Sequence, residues 1–250
     1  MRWMGVAILL LVLSLANPSS CGVDTLVRTE GVTTDGVRVA ISLPKHNYIK
    51  GEPVIATLTV TNTTAASLVV PELGVSTTGF IVTPEEVNGS LPMRIRDSIA
   101  APSRDYTWTL APGEQKSLSE DLPGQFYGPL VCGDYALVGT YSGSKEIESD
   151  WCGRIRSPKL GFRVVAPPSE LAHTSELFIR ARAASGGSKA AALEAAGDLR
   201  EIEEQVSESV FSKYAGYFKA WAASQVTRST AAFISELSRY ADKHGKVPFY

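Results

Sequence analysis

Three cysteines (Cys21, Cys132, Cys152) and three histidines (His46, His173, His244) are the side chains with most scope for covalent or metal chemistry in this 250-residue chain. A metal centre needs its ligands gathered, and a nucleophile needs a base within hydrogen-bond reach. Here the histidines fall in a turn-rich stretch, a helical stretch and a helix end. No HExxH, glycine-rich phosphate loop or Gly-x-Ser-x-Gly elbow occurs. Carboxylates neighbour one another at Glu85-Glu86, at Glu120-Asp121 and at Glu201, Glu203 and Glu204. The first two pairs lie in expected loops or strand ends, where a solvated role is the default. Asp105, Asp134 and Asp150 could serve a loop cation, but no calcium-loop pattern surrounds them. The expectation is a protein that is not an enzyme and takes no metal and no cofactor. Asn62-Thr63-Thr64 and Asn88-Gly89-Ser90 fit the glycosylation triplet.

Lys and Arg number 24 against 26 Asp and Glu, a formal net charge of -2. A phosphate-reading surface needs a basic excess, so nucleic acid is not an expected partner. With 44% hydrophobic and 20% charged residues, the composition suits one or two soluble globular domains.

Elements that position chemistry begin after residue 20. Residues 1–20 read as a signal peptide: Arg2 is the positive start, Val6 to Leu15 the apolar stretch, Ala16 to Ser20 the polar end. That ten-residue stretch would rise about 15 Å as a helix, half of the roughly 30 Å hydrocarbon core, so it does not read as a spanning anchor. Ser19 and Ser20 directly before Cys21 resemble the lipoprotein box of bacterial envelope lipoproteins, although Pro18 stands where that family has Leu or another aliphatic. The resemblance implies lipidation of Cys21 and attachment to a membrane. Because Gly22 is not an Asp-type retention signal, it also implies an outer-membrane or periplasmic-face address. Ordinary cleavage after Ala16 or near Ser20, releasing a soluble protein, is the alternative. Removing residues 1–20 takes away Arg2 and leaves a charge of -3.

Residues 21–35 read as a linker, and residues 36–167 as short β-branched runs between Gly, Pro, Asn and Asp. Val37, Val39, Ile41 and Leu43 alternate onto one face, as do Val54, Ala56, Leu58 and Val60. Further strands are expected at Ser67–Val70, Gly79–Thr83, Leu91–Ile95, Tyr106–Leu110, Lys116–Leu122, Gly133–Tyr141, Lys145–Trp151 and Lys159–Val165. Lys45 to Glu52 reads as a turn. Many short strands with no helical period predict an antiparallel β-sandwich or barrel. Gly51-Glu52-Pro53, Pro112-Gly113-Glu114 and Gly133-Asp134-Tyr135 resemble the punctuation of bacterial extracytoplasmic immunoglobulin-like domains. That resemblance implies an immunoglobulin-like β-sandwich but no activity.

Cys132 and Cys152 bracket an expected hairpin. If Tyr141 and Lys145 flank a turn at 142–144, the two cysteines nearly face each other. A disulfide there would contribute roughly 2–3 kcal/mol in an exported protein. It would also leave Cys21 as the odd cysteine, which lipidation would account for.

After Pro167-Pro168 the composition turns helical. Residues 169–250 hold ten acidic and ten basic residues and a single proline, Pro248. Helices are expected at about Ser169–Ala184, Lys189–Gln205, Ser209–Ser224 and Arg228–His244, with Leu193, Ala196, Leu199, Ile202 and Val206 as the buried stripe of the second. Leu199–Ser212 aligns with Leu237–Tyr250 at an offset of 38 and resembles tetratricopeptide-type helical hairpins, whose usual period is 34. Phe211, Tyr214, Tyr217, Phe218 and Trp221 are either core between helices or an exposed groove for a partner peptide.

The function expected is that of an exported, lipid-anchored envelope protein, non-catalytic, acting as a protein-binding or scaffolding module for other envelope proteins. The alternative is a secreted inhibitor-like or carbohydrate-binding β-sandwich, since residues 36–165 are similar to bacterial proteinase-inhibitor-like immunoglobulin domains. Tyr48, Tyr106, Trp108 and Trp151 would then be its contact aromatics.

Overall fold

The computed structural model describes residues 26–74, 77–84, 93–95, 107–122, 130–143, 149–185, 187–205, 209–227 and 229–244. In chain order the strands are β1 (Val27–Arg28), β2 (Val32–Thr34), β3 (Val37–Leu43), β4 (Asn47–Ile49), β5 (Ile55–Asn62), β6 (Leu68–Pro71), β7 (Thr78–Pro84), β8 (Met93–Ile95), β9 (Thr107–Leu110), β10 (Gln115–Asp121), β11 (Gly133–Gly143), β12 (Gly153–Arg156) and β13 (Leu160–Val165). Helices α1 (Ser169–Ser185), α2 (Lys189–Gln205), α3 (Ser212–Thr227) and α4 (Thr230–His244) follow.

One sheet runs β1-β3-β5-β10 with β2 also on β3; a second runs β4-β13-β11-β7-β8 with β12 also on β11; β6 and β9 form a third. Pairing is antiparallel except between β4 and β13. The period-two pattern holds: Val37, Val39, Ile41 and Leu43 are buried while Arg38 is exposed. On the outer face of β5, Thr57 and Thr59 share hydroxyl hydrogen bonds with Ser119 and Ser117 of β10, at 2.8 and 2.9 Å.

The stretch expected to be a linker contains β1 and β2, which are one broken edge strand. Arg28 pairs with Ser42, yet Val32 pairs with Val39, so one extra residue sits on the edge strand, as in a β-bulge. Thr29 bridges the break, its amide donating to Ile41 O and its Oγ1 accepting from the Ile41 amide at 3.1 Å. β12 and β13 repeat the device along β11, where Leu137 pairs with Leu160 but Thr140 with Arg156. Pro158, which has no N–H to give the ladder, lies in that break. The Gly139 amide donates to Ser157 Oγ there at 2.9 Å. β4 lies inside the stretch expected to be a turn. The strand expected at Lys145–Trp151 is not found at 149–151, the part of it that is described; β12 comes later instead.

Val37, Ile41, Leu43 and Leu58 of the first sheet share one core with Phe80, Val82, Tyr135, Leu137, Phe162 and Val164 of the second. The sheets approach closely at Gly139, where a Cβ would collide with Ile41 Cγ2 and lie 3.0 Å from Leu58 Cδ1. Tyr141 stacks on Trp151 with ring centroids 5.1 Å apart and donates to Pro71 O at 2.5 Å. Trp151 Nε1 donates to Thr34 O at 3.3 Å. Tyr135 stacks on Phe162 at 5.3 Å and donates from its hydroxyl to Val131 O, four residues upstream, at 2.7 Å.

The registers give the β region two poles. Leu43, Ile55, Asp121 and the start of β1 lie at one, as do Ile49, Gly133 and Val165 of the second sheet. At the other lie the Asp35-Gly36 turn, Asn62, Gln115 and Gly143. Asp35 and Gly36 have φ of 48° and 79°, both positive, as a two-residue type I′ hairpin requires. Asn62 is fully buried, and its Nδ2 donates to Ala66 O and Leu110 O at 2.8 and 2.9 Å. Its Oδ1 accepts from the Thr64 amide and hydroxyl, both at 2.8 Å.

The helices pack in sequence, α1 on α2, α2 on α3 and α3 on α4, and α1 also reaches α3. Phe178 is the hub, with Phe211 at 5.3 Å and Phe218 at 5.6 Å between ring centroids. The buried stripe of α2 is Ala192, Ala195, Leu199 and Ile202, and the expected Leu193 is exposed. Alanine lets neighbouring backbones approach closely, so small size outranks hydrophobicity in setting this face. α3 begins 43 residues after α1 and α4 begins 41 after α2, so the spacing between successive helix pairs is neither 38 nor 34.

Candidate functional site

The residues expected to carry chemistry are dispersed. Cys21, Glu85, Glu86, Asp105 and Tyr106 lie outside the described residues. His46 and His173 are exposed, on a loop and on α1. Asp134 is held by Arg163 at 2.5 and 2.8 Å, and this hydrogen bonding keeps its carboxyl below the ordinary range. Asp150 accepts from the Val69 amide at 2.9 Å, and Glu203 pairs with Lys219. Among the described residues no group of three or more His, Cys, Asp or Glu is placed to hold a metal ion.

The expected disulfide is not formed. Cys132 and Cys152 are both free, exposed thiols. The register explains why: Gly133 pairs with Val164 at one end of β11, and Gly153 pairs with Gly143 at the other. The cysteines are therefore separated by an eleven-residue strand, about 35 Å long. The hairpin turns later than the sequence suggested. With no pair formed, cysteine counting no longer singles out Cys21.

The five aromatics of the expected groove divide. Phe211 and Phe218 are buried in the helical core, Tyr214 and Tyr217 pack partly buried against it, and Trp221 is 42% exposed. Ile234 of α4 is also exposed, at 57%. For the carbohydrate-binding alternative, Tyr48 and Trp151 are core residues and Trp108 packs against the same core, so these three contribute to the interior. Among the described residues no helix is long and apolar enough to cross a membrane.

What the structure does assemble is a joint between the β region and the helices. The Gly-Glu-Pro motif builds its β side. Glu52 is buried, taking Lys45 Nζ at 2.7 Å and the Ile49 amide at 3.0 Å. This fixes the turn that presents Lys50 and Gly51 to α1. Ser175 Oγ donates to Lys50 O at 2.6 Å. Gly51 has φ of +90°, and a Cβ there would come within 2.7 Å of Ile179 Cγ1. Ile49 packs on the helical core itself.

At the other side of the joint Arg182 of α1 pairs with Asp121 at the end of β10, their side chains 12% and 13% exposed. The guanidinium carbon of Arg182 stands 5.1 Å from the centroid of the Phe218 ring on α3. Burial pushes the Asp121 carboxyl above its ordinary value, against the opposing pull of Arg182. Its Oδ1 has no hydrogen-bond partner among the described residues. Sequence reading missed this pair because Asp121 and Arg182 are 61 residues apart and each looks like a surface charge in its own segment.

No protein-family model matches the chain, and no curated protein matches its sequence significantly. The joint fixes one region against the other, through the Ser175 bond to Lys50 O and the Arg182–Asp121 pair.

Proposed function

We propose that this protein is an exported envelope lipoprotein, anchored through Cys21, whose immunoglobulin-like β-sandwich carries a tetratricopeptide-like helical module for binding other envelope proteins. The observation that carries the proposal is the N-terminal series of Arg2, the Val6–Leu15 apolar stretch and Ser19-Ser20-Cys21. A non-catalytic binding role agrees with the scatter of the reactive side chains. The immunoglobulin-like reading is supported by two sheets sharing one core and by the Tyr135 hydroxyl bonded to Val131 O, the arrangement of a tyrosine corner. The helical-repeat reading is supported by sequential packing in which α1 also touches α3, as a first helix touches the first helix of the next pair. Trp221 and Ile234 supply exposed apolar surface on the last two helices.

Mass spectrometry of the mature N-terminus tests the anchor, with a lipid-modified Cys21 expected. An unmodified chain starting at Asn17 or Gly22 would overturn it. For the binding role, a photo-crosslinking residue at Ile234 should yield discrete adducts in intact envelopes. A pattern identical to that from a probe at Gln115, on the opposite pole, would count against a helical binding surface.

A further inference from the structure

Strand register places the start of the described chain and the helical joint at the same pole. Val27 pairs with Leu43, Ser42 pairs with Thr57, and Ile55 pairs with Asp121. Across the sheet order β1-β3-β5-β10, neighbouring strands are about 4.8 Å apart. The entering chain thus reaches the β region about 14 Å across from the strand that carries Asp121. Resting on the proposed anchor, the position of Cys21 five residues before Leu26 limits the tether to about 18 Å even when fully extended. That is half the roughly 35 Å length of the eleven-residue β11.

We infer that a lipid bilayer lies against the helix-bearing pole of the molecule. The tether is too short for the opposite pole, with Asp35-Gly36 and Gln115, to face the headgroups while the molecule stands on its anchor. Leu26, 62% exposed at the point of entry, adds apolar surface next to the anchor. The helical region is thereby held beside the membrane, and the turns of the far pole point away from it. A partner embedded in or lying on the same bilayer meets the helices first.

Orientation is measured on the lipidated full-length protein in vesicles of phosphatidylethanolamine and phosphatidylglycerol carrying a lipid-attached energy acceptor. In a C132S/C152S background a donor dye is placed on E170C, at the start of α1, or on Q115C, at the far pole. Both parent side chains are exposed. Transfer from residue 170 should exceed that from residue 115 several-fold. Equal transfer, or the reverse order, on chains whose mass shows a lipidated Cys21 would overturn the orientation and leave the anchor intact. Chains whose mass shows an unmodified N-terminus would overturn both.

Discussion

Arg182 and Asp121 form an ion pair across the joint, and the same guanidinium faces the Phe218 ring. One charged contact thus ties a strand end, the first helix and the third.

Removing either partner of that pair leaves a mostly buried charge without its counter-ion. R182A and D121A should each cost about 3 kcal/mol, and the apolar double variant D121L/R182M should recover most of that loss. Urea midpoints of the four proteins measure it. Additive losses in the double variant would mean that the two side chains act independently.

Gly139 should tolerate no side chain. G139A places a Cβ against Ile41 and Leu58 and should destabilise by about 1–3 kcal/mol, the usual cost of overpacking. I41A in the same chain removes the colliding Cγ2, so G139A should cost less in that background than in the parent. Thermal melts of the parent, single and double variants check the difference.

Burial raises the phenol of Tyr141 above its ordinary value. An unfolded tyrosine ionises near pH 10, so above about that pH the unfolded chain loses a proton that the folded chain keeps. Stability should therefore fall as the pH rises through about 10 and onward. Tyr135, also raised by burial, adds to the same slope. Y141F should flatten the slope in part and Y135F/Y141F further. Loss of the bond to Pro71 O costs Y141F about 1 kcal/mol at neutral pH. Urea melts between about pH 8 and 11 give the slopes.

Cys132 and Cys152 should both react with a maleimide in the folded, unreduced protein, and C132S/C152S should melt within about 0.5 kcal/mol of the parent, as exposed substitutions do. A protein that resists labelling until reduced would contradict the strand register at β11.

Most of the elements were legible because their signals are local. β3 and α2 fall on the expected bounds, since alternation of Val, Val, Ile and Leu, and a Gly-Gly-Ser break before an alanine-rich run, need no tertiary information. The edge strand β2 was legible too, though missed: Asp35-Gly36 between Val32-Thr33-Thr34 and Val37 is a strong short-range hairpin pattern. The position of Cys152 was not legible, because it depends on how far past Ser142 the ladder runs before the chain turns. The joint was hidden for a related reason. Glu52 and Gly51 read as turn residues whether or not a helix lies on them, and only the docking of α1 gives Asp121 a partner.

Asn62 carries a consequence of another kind. Loss of its amide by deamidation begins when the Thr63 backbone nitrogen attacks the side-chain carbonyl, and in the fold that nitrogen donates to Gly36 O at 2.8 Å while the carbonyl is held by Thr64. The same burial closes the Asn-Thr-Thr triplet to a modifying enzyme. Chemical ageing at Asn62 is thus confined to moments when β5 and its turn open, and the accumulated aspartate becomes a clock for the time the chain has spent unfolded.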